Sequence, residues 1–340
     1  SMNKMRSLIK SLIGKKISQK AGEFERKIQY RLNSYYRNFT FAKRPDILYI
    51  EPTNICTANC VFCAYQFDQR PKMYADIKSI ENILDQYIQA GGRSVNLTPF
   101  AGEIFVHPEL INLLKTIASR DKIKKFSTYT NASLLHTVDI NDFLYSGITH
   151  LGISVAPLRE DLYKAIYRAG FYSKVKRNIK ELLAAYVDNF DSTISEIEIS
   201  FRADRSLSEC FKLPDFQTTI KPYLHDKRIK VSALQDYDSW SATISQDDLL
   251  SGMRLLNTQL SGPISTCSRI HNVQVLVDGS IRLCGCRFDN SAEFDELEIG
   301  NINSIELLEA YNSPKAQQIR ASFSEGRLLD VCRKCSWYNH

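Results

Sequence analysis

From Ile47 onward, short apolar runs alternate with stretches whose apolar residues recur every three or four positions. The runs at 47–52, 93–98, 124–130, 149–154, 195–201 and 228–234 predict strands. The stretches at 76–90, 107–119, 135–145, 160–187 and 208–223 predict helices. Strands separated by helices pair in parallel through right-handed crossovers, which is an α/β arrangement. Six units are too few for an eight-fold barrel. The expected fold is an open, partial (β/α)6 TIM-like barrel, with its functional edge at the C-terminal ends of the strands.

Three other textures flank this region. In residues 1–45, Met5, Leu8, Ile9, Leu12, Ile13 and Ile17 line one side of a helical pattern and Arg6, Lys10, Lys15, Lys16 and Lys20 the other. That is a basic amphipathic helical arm, suited either to packing on the main domain or to lying on an anionic membrane surface. Residues 235–266 are polar and read as a bridge with one helix at Asp247–Leu260. After Cys267, Val273, Val275 and Val277 alternate before Asp278-Gly279-Ser280, which predicts a hairpin over 271–284. Short helices near 304–311 and 314–323 follow. The domain expectation is therefore 1–45, 46–234, 235–266 and 267–340.

Charge separates the arm from the body. Residues 1–45 hold 12 Lys and Arg against 2 acidic residues, whereas the rest of the 340-residue chain holds 32 against 36. The body is no general polyanion binder, and a nucleic-acid-binding protein is disfavoured. No run of 18 apolar residues and no signal peptide are visible, so the expectation is a cytoplasmic protein whose arm suits peripheral contact with the inner membrane surface.

Nine cysteines carry the candidate chemistry. In a reducing compartment, clustered thiols point to metal or catalysis rather than disulfides. Cys56, Cys60 and Cys63 form a C-x3-C-x2-C loop directly after the first predicted strand. Three thiolates can take three corners of one iron–sulfur cube and leave the fourth iron open. A closed zinc site needs a fourth ligand, and no histidine lies within forty residues of the loop. Cys267, Cys284, Cys286, Cys332 and Cys335 form the second group, and Cys210 stands alone.

The first loop resembles the defining signature of the radical S-adenosylmethionine (SAM) superfamily. The resemblance implies a 4Fe–4S cluster whose open iron is chelated by SAM, reductive cleavage to a 5′-deoxyadenosyl radical, and hydrogen abstraction from a substrate. A flavodoxin- or ferredoxin-type electron donor is implied with it. Ala101-Gly102-Glu103 is similar to the family's Gly-Gly-Glu segment, with Ala in place of the first Gly, and implies that Glu103 receives the SAM amino group. Thr130, Asn131 and Ser154 resemble residues that meet the ribose and carboxylate of SAM. Arg202 resembles an arginine that pairs with that carboxylate, and Phe62 a residue packed near adenine.

The second group is similar to the SPASM/Twitch extensions of that superfamily, in which a cysteine, a glycine-turned hairpin and a second cysteine precede C-x2-C. The resemblance implies a second, auxiliary 4Fe–4S cluster on Cys267, Cys284, Cys332 and Cys335. Cys286 is an alternative ligand, because residues two apart in a strand share a face. The chain ends five residues after Cys335, which favours the shorter Twitch form. Four thiolates are also a zinc set, and that alternative stands beside the cluster. Cys210 reads either as a thiol hydrogen donor or as an ordinary semi-buried cysteine.

The function expected from these features is oxidation of a small polar substrate, such as a sugar, aminocyclitol or nucleotide- or lipid-linked glycan. The auxiliary cluster would accept an electron. The competing expectation is a maturase that oxidises, crosslinks or epimerises a ribosomal peptide.

Overall fold

A computed structural model describes residues 44–256, 267–284 and 295–336. The amphipathic arm, Cys286 and the last residues of the predicted 247–260 helix lie outside the described residues.

The six predicted strands are present, in order, as β1 (Leu48–Ile50), β2 (Ser94–Asn96), β3 (Lys125–Thr130), β4 (His150–Val155), β5 (Glu196–Arg202) and β6 (Ile229–Leu234). All five neighbouring pairs are parallel. Their side chains alternate as the pleat requires. Leu151, Ile153 and Val155 of β4 and Ile197, Ile199 and Phe201 of β5 are buried in the core with the helices. Glu198, Ser200 and Arg202 occupy the opposite, inward face with Ser154.

Helix α1 (Ile77–Gln89) packs Ile80, Ile83, Leu84 and Tyr87 into this core. It starts at Asp76, whose side chain accepts from the backbone N–H of Ser79 at 3.0 Å. Then follow α2 (Leu110–Ala118) and α3 (Ile140–Leu144). The long helix predicted over 160–187 is two helices, α4 (Glu160–Tyr167) and α5 (Tyr172–Asp188). They part at Arg168, which is left-handed with φ of 50° and cannot continue a helix. The stretch at 208–223 divides likewise into α6 (Leu207–Phe211) and α7 (Pro214–Thr219), because Pro214 has no N–H to donate and so opens a new helix.

The predicted helix beginning at Asp247 is a correction. Residues 246–248 form a single tight turn, and Arg254–Leu255 is a short strand, β8, paired with β7 (Asp236–Tyr237). Gly252 between them has φ of 90°, and a Cβ there would lie 2.0 Å from the Asp204 carbonyl oxygen. The backbone passes too close to Asp204 for a helix with ordinary side chains.

The predicted hairpin is present as β9 (Val273–Val275) and β10 (Ser280–Leu283), turned at Gly279 with φ of 86°. It does not stand apart. β9 pairs in parallel with β1, and β10 pairs with β11 (Glu298–Asn301), so one nine-stranded sheet runs β11-β10-β9-β1-β2-β3-β4-β5-β6. The cysteine-rich region thus extends the barrel sheet at its β1 edge. Helices α8 (Leu307–Tyr311), α9 (Pro314–Ser324) and α10 (Asp330–Arg333) complete it.

Candidate functional site

The C-x3-C-x2-C loop leaves β1 and is held by backbone hydrogen bonds to the end of α4. The N–H groups of Asn59 and Val61 donate to the carbonyls of Tyr167 and Ile166 at 3.1 and 2.9 Å. Cys63 caps the tight turn at Ala64–Phe67, its sulfur accepting from the Tyr65 N–H at 3.4 Å. Burial pushes the Cys56 thiol up to about 12, helped by Glu103 and opposed by backbone N–H groups of Ala58 and Thr57. Burial also raises Cys60 well above the ordinary range, with Cys63 and Cys56 adding to the effect. Burial is the main cause in each case, as for any thiol in an apolar site, and the charges of the neighbouring thiols act on one another.

The exit of β2 is built against this loop. Glu103 N–H donates to the Ile55 carbonyl at 2.8 Å, and a Cβ on Gly102 would lie 2.7 Å from the Thr53 carbonyl oxygen. Glu103 is only 2% exposed. Its Oε1 accepts from the Thr130 hydroxyl at 2.7 Å and from the Phe105 N–H at 3.2 Å, and its Oε2 accepts from the Asn131 N–H at 2.7 Å. Burial holds its carboxyl above the usual range despite these donors. Counting two lone pairs per oxygen, Oε2 keeps one position for a further donor.

Asn131 closes the arrangement. Its Nδ2 donates to Thr57 Oγ1 at 3.0 Å and lies 3.9 Å from Cys56 Sγ, and the next residue, Ala132, is left-handed with φ of 63°. On the neighbouring strands, Arg202 Nε donates to Ser154 Oγ at 3.1 Å, and Ser154 meets Tyr167 Oη at 3.0 Å. The Arg202 charge reaches Cys60 and Cys63, lowering both thiols against their burial. Phe62 stacks on Tyr237 at 5.4 Å and meets Tyr167 edge-on at 5.7 Å. The structure therefore links Glu103, Thr130 and Asn131 to Cys56, and Ser154 to Arg202, at the strand exits around the loop. Cys56, Cys60 and Cys63 are not themselves grouped as a metal site would require.

In the second group, Cys267, Cys284, Cys332 and Cys335 are all buried. Cys284 follows the end of β10 in a left-handed conformation with φ of 63°, so the strand pattern that paired it with position 286 stops before it. Cys335 N–H donates to the Cys332 carbonyl at 3.1 Å. Among the described residues, no group of three or more His, Cys, Asp or Glu is placed to hold a metal ion. Cys210 is fully rather than partly buried, within α6, and burial pushes its thiol up to about 11.

The family model of the radical SAM superfamily matches residues 50–197, and that of an iron–sulfur cluster-binding domain, SPASM, matches 267–336. The chain belongs to the radical SAM superfamily. These two radical SAM modules imply SAM and two 4Fe–4S clusters as cofactors. The chain is similar to GTP 3′,8-cyclase of Desulforamulus reducens, 24% identical over 246 residues, 68% of this chain and 70% of the relative. It is 29% identical over 150 residues to the enzyme of that name from Alkaliphilus metalliredigens, and there spans 42% of this chain and 45% of the relative. Two solved structures share its fold. Streptococcus suis SuiB bound to S-adenosylmethionine has a TM-score of 0.53 at 17% identity, covering 94% of this chain and 77% of that one. BtrN in complex with AdoMet and 2-DOIA has a TM-score of 0.50 at 14% identity, covering 87% and 94%.

Sequence reasoning missed several residues that build this radical SAM site. Tyr237 stacks on Phe62, and Tyr167 meets it edge-on. Arg70 forks onto buried Glu51 at 2.7 and 3.2 Å. Trp240 Nε1 donates to the Phe62 carbonyl at 3.0 Å. None lies in a recognisable motif. No helix among the described residues is long and apolar enough to cross a membrane.

Proposed function

We propose that this protein oxidises a small, hydroxyl-rich substrate such as a sugar, aminocyclitol or nucleotide- or lipid-linked glycan, using SAM at the β1–β3 exits. The observation that carries it is the linkage of Glu103, Thr130 and Asn131 beside Cys56, with Arg202, bonded to Ser154, near enough for its charge to act on Cys60 and Cys63. Cys56, Cys60 and Cys63 are assigned to the first cluster. Cys267, Cys284, Cys332 and Cys335 are assigned to the auxiliary one, with Cys286 as the alternative. Bound to these thiolates, the cofactors supply an electron for SAM cleavage and a 5′-deoxyadenosyl radical that takes hydrogen from the substrate.

The chain's own residues would orient the reactants. The open position on Glu103 Oε2 accepts the SAM ammonium. Arg202, steadied by Ser154, offers its planar fork to the carboxylate. Thr130 and Asn131 hold the Glu103 carboxylate, and Phe62 would pack near adenine. A hydroxyl-rich substrate is supported by the inward polar row. Gln274 and Asn96 flank Tyr49 in register, and Gln274 Nε2, Asn96 Oδ1 and Thr98 Oγ1 are buried with no hydrogen-bond partner. Neutral donors and acceptors of this kind match hydroxyl groups, which both donate and accept. A flavodoxin- or ferredoxin-type protein is the proposed reductant.

Iron and acid-labile sulfide after anaerobic reconstitution test the cluster assignment. Roughly eight irons per chain, falling to roughly four in a Cys56/Cys60/Cys63→Ala variant, are expected for two cubane clusters. About four irons falling to none would remove the auxiliary centre and the oxidative reading with it. For the substrate, 5′-deoxyadenosine formation should rise with aminocyclitols or sugars. A response confined to GTP or to a peptide would overturn that assignment.

A further inference from the structure

Arg282 is the largest fully buried side chain among the described residues, 1% exposed. A buried guanidinium costs several kcal/mol unless its donors are matched. Here Nε and Nη2 fork onto the Asp295 carboxylate at 2.6 and 3.0 Å, while Nη1 donates to the Cys284 carbonyl at 2.6 Å. One edge of the guanidinium thus forks onto the carboxylate, and Nη1 is turned to the backbone of a cysteine assigned to the auxiliary cluster.

The same charge lies against the first site. The Arg282 guanidinium carbon is 5.3 Å from the centre of the Phe100 ring, and that of Arg70 is 5.5 Å from it. Phe100 immediately precedes Ala101-Gly102-Glu103, and its N–H donates to Glu51 Oε2 at 3.0 Å. Trp240, bonded to the Phe62 carbonyl, meets Phe100 edge-on at 5.6 Å. A single phenyl ring is thus the place where the β1 exit, the β2 exit, the bridging segment and the auxiliary hairpin meet.

We propose that Arg282 is a positioning residue that sets the reduction potential of the auxiliary cluster, raising it by fixing a permanent positive charge against the backbone of Cys284. The proposal rests on the reading that Cys267, Cys284, Cys332 and Cys335 hold a 4Fe–4S cluster. Reduction adds negative charge to such a centre, and charge and hydrogen bonding around it set its potential. A cation in a water-excluded site acts through a low effective dielectric and is poorly screened by salt. Arginine suits this role because it does not lose its proton when buried. A raised potential favours the cluster as an electron acceptor, in line with an oxidative reaction.

The test is an EPR-monitored redox titration of the anaerobically reconstituted full chain, with SAM present to mark the cluster that binds it. In Arg282→Gln, the reduced-to-oxidised ratio of the auxiliary cluster at a fixed potential should fall at least tenfold, about 59 mV for one electron. Arg282→Lys keeps the charge but not the fork, and should fall less. Asp295→Asn removes the compensating carboxylate and should shift the ratio the other way. An Arg282→Gln protein with full iron content and an unmoved midpoint overturns the proposal. If that variant does not retain its iron, Asp295→Asn decides, and a midpoint unmoved or lowered overturns it. A wild-type chain with only about four irons would instead sink the underlying cluster reading, and the iron count tells the two failures apart.

Discussion

The hydroxyl of Thr130 donates to Glu103 Oε1 at 2.7 Å, tying the exit of β3 to the exit of β2 beside Cys56. It is one of three donors that oppose the burial of this carboxylate. Thr130→Val keeps the volume but removes the donor, and hydrogen bonds to charged groups contribute about 1.5–3 kcal/mol. SAM affinity of the reconstituted protein should fall by about tenfold or more, measured by equilibrium binding. Unchanged affinity would show that Glu103 needs no support from β3.

Gly102 tests the close approach of the two loops. A Cβ there would press on the Thr53 and Ile55 carbonyl oxygens at 2.7 and 3.2 Å. Both are backbone atoms and cannot rotate away. Gly102→Ala should cost about 1–3 kcal/mol of stability by overpacking and reduce iron loading at the first site. Full loading with unchanged thermal stability would mean the loops part freely.

Trp240, Ser241 and Ala242 are consecutive left-handed residues, with φ of 50°, 55° and 64°. They persist because their neighbours are anchored on both sides. Trp240 reaches the Phe62 carbonyl, and Ser241 Oγ donates to the Val331 carbonyl at 2.9 Å, next to Cys332. Ala242 is exposed, and an L-residue in this conformation carries about 1–2 kcal/mol of strain. Ala242→Gly should therefore stabilise the protein by about 0.5–1 kcal/mol in urea denaturation, after the entropy cost of glycine. A loss of stability would show that the run is relaxed.

His150 gives a pH-dependent prediction away from both cysteine groups. Burial lowers its imidazole below the ordinary value, helped by Lys125 and opposed by Glu196. The folded protein thus binds the proton less readily than the unfolded chain. Stability is full above the unfolded value of 6.5 and falls as pH drops through it toward the lower folded value. His150→Gln should flatten this part of the stability–pH curve. An identical slope in both proteins would assign the effect to another group.

Much of the site was legible in the chain because its chemistry is local. The C-x3-C-x2-C spacing, the tripeptide ending at Glu103 and the pair Thr130-Asn131 each follow a strand whose alternation is visible, so their placement at one barrel edge followed from strand order. The helix over 160–187 was misread as continuous because Arg168 carries no sequence mark of a left-handed residue. The helix at 247 was misread because what forbids it, the Asp204 carbonyl packed against Gly252, lies over forty positions away.

The sequence alone determined the parallel strand order, the two thiol groups and the membership they signal, since period-2 and period-3.6 patterns and ligand spacings are properties of neighbouring residues. Only the tertiary structure decided that β9 joins β1, so that the cysteine-rich hairpin extends the barrel sheet. It alone placed Arg282 between Cys284 and Phe100, and Trp240 between the two cysteine groups. Those contacts span up to about 180 positions of chain, and no local pattern encodes a partner that distant. They form because folding must give each buried charge and each N–H a matching group, wherever in the sequence that group lies.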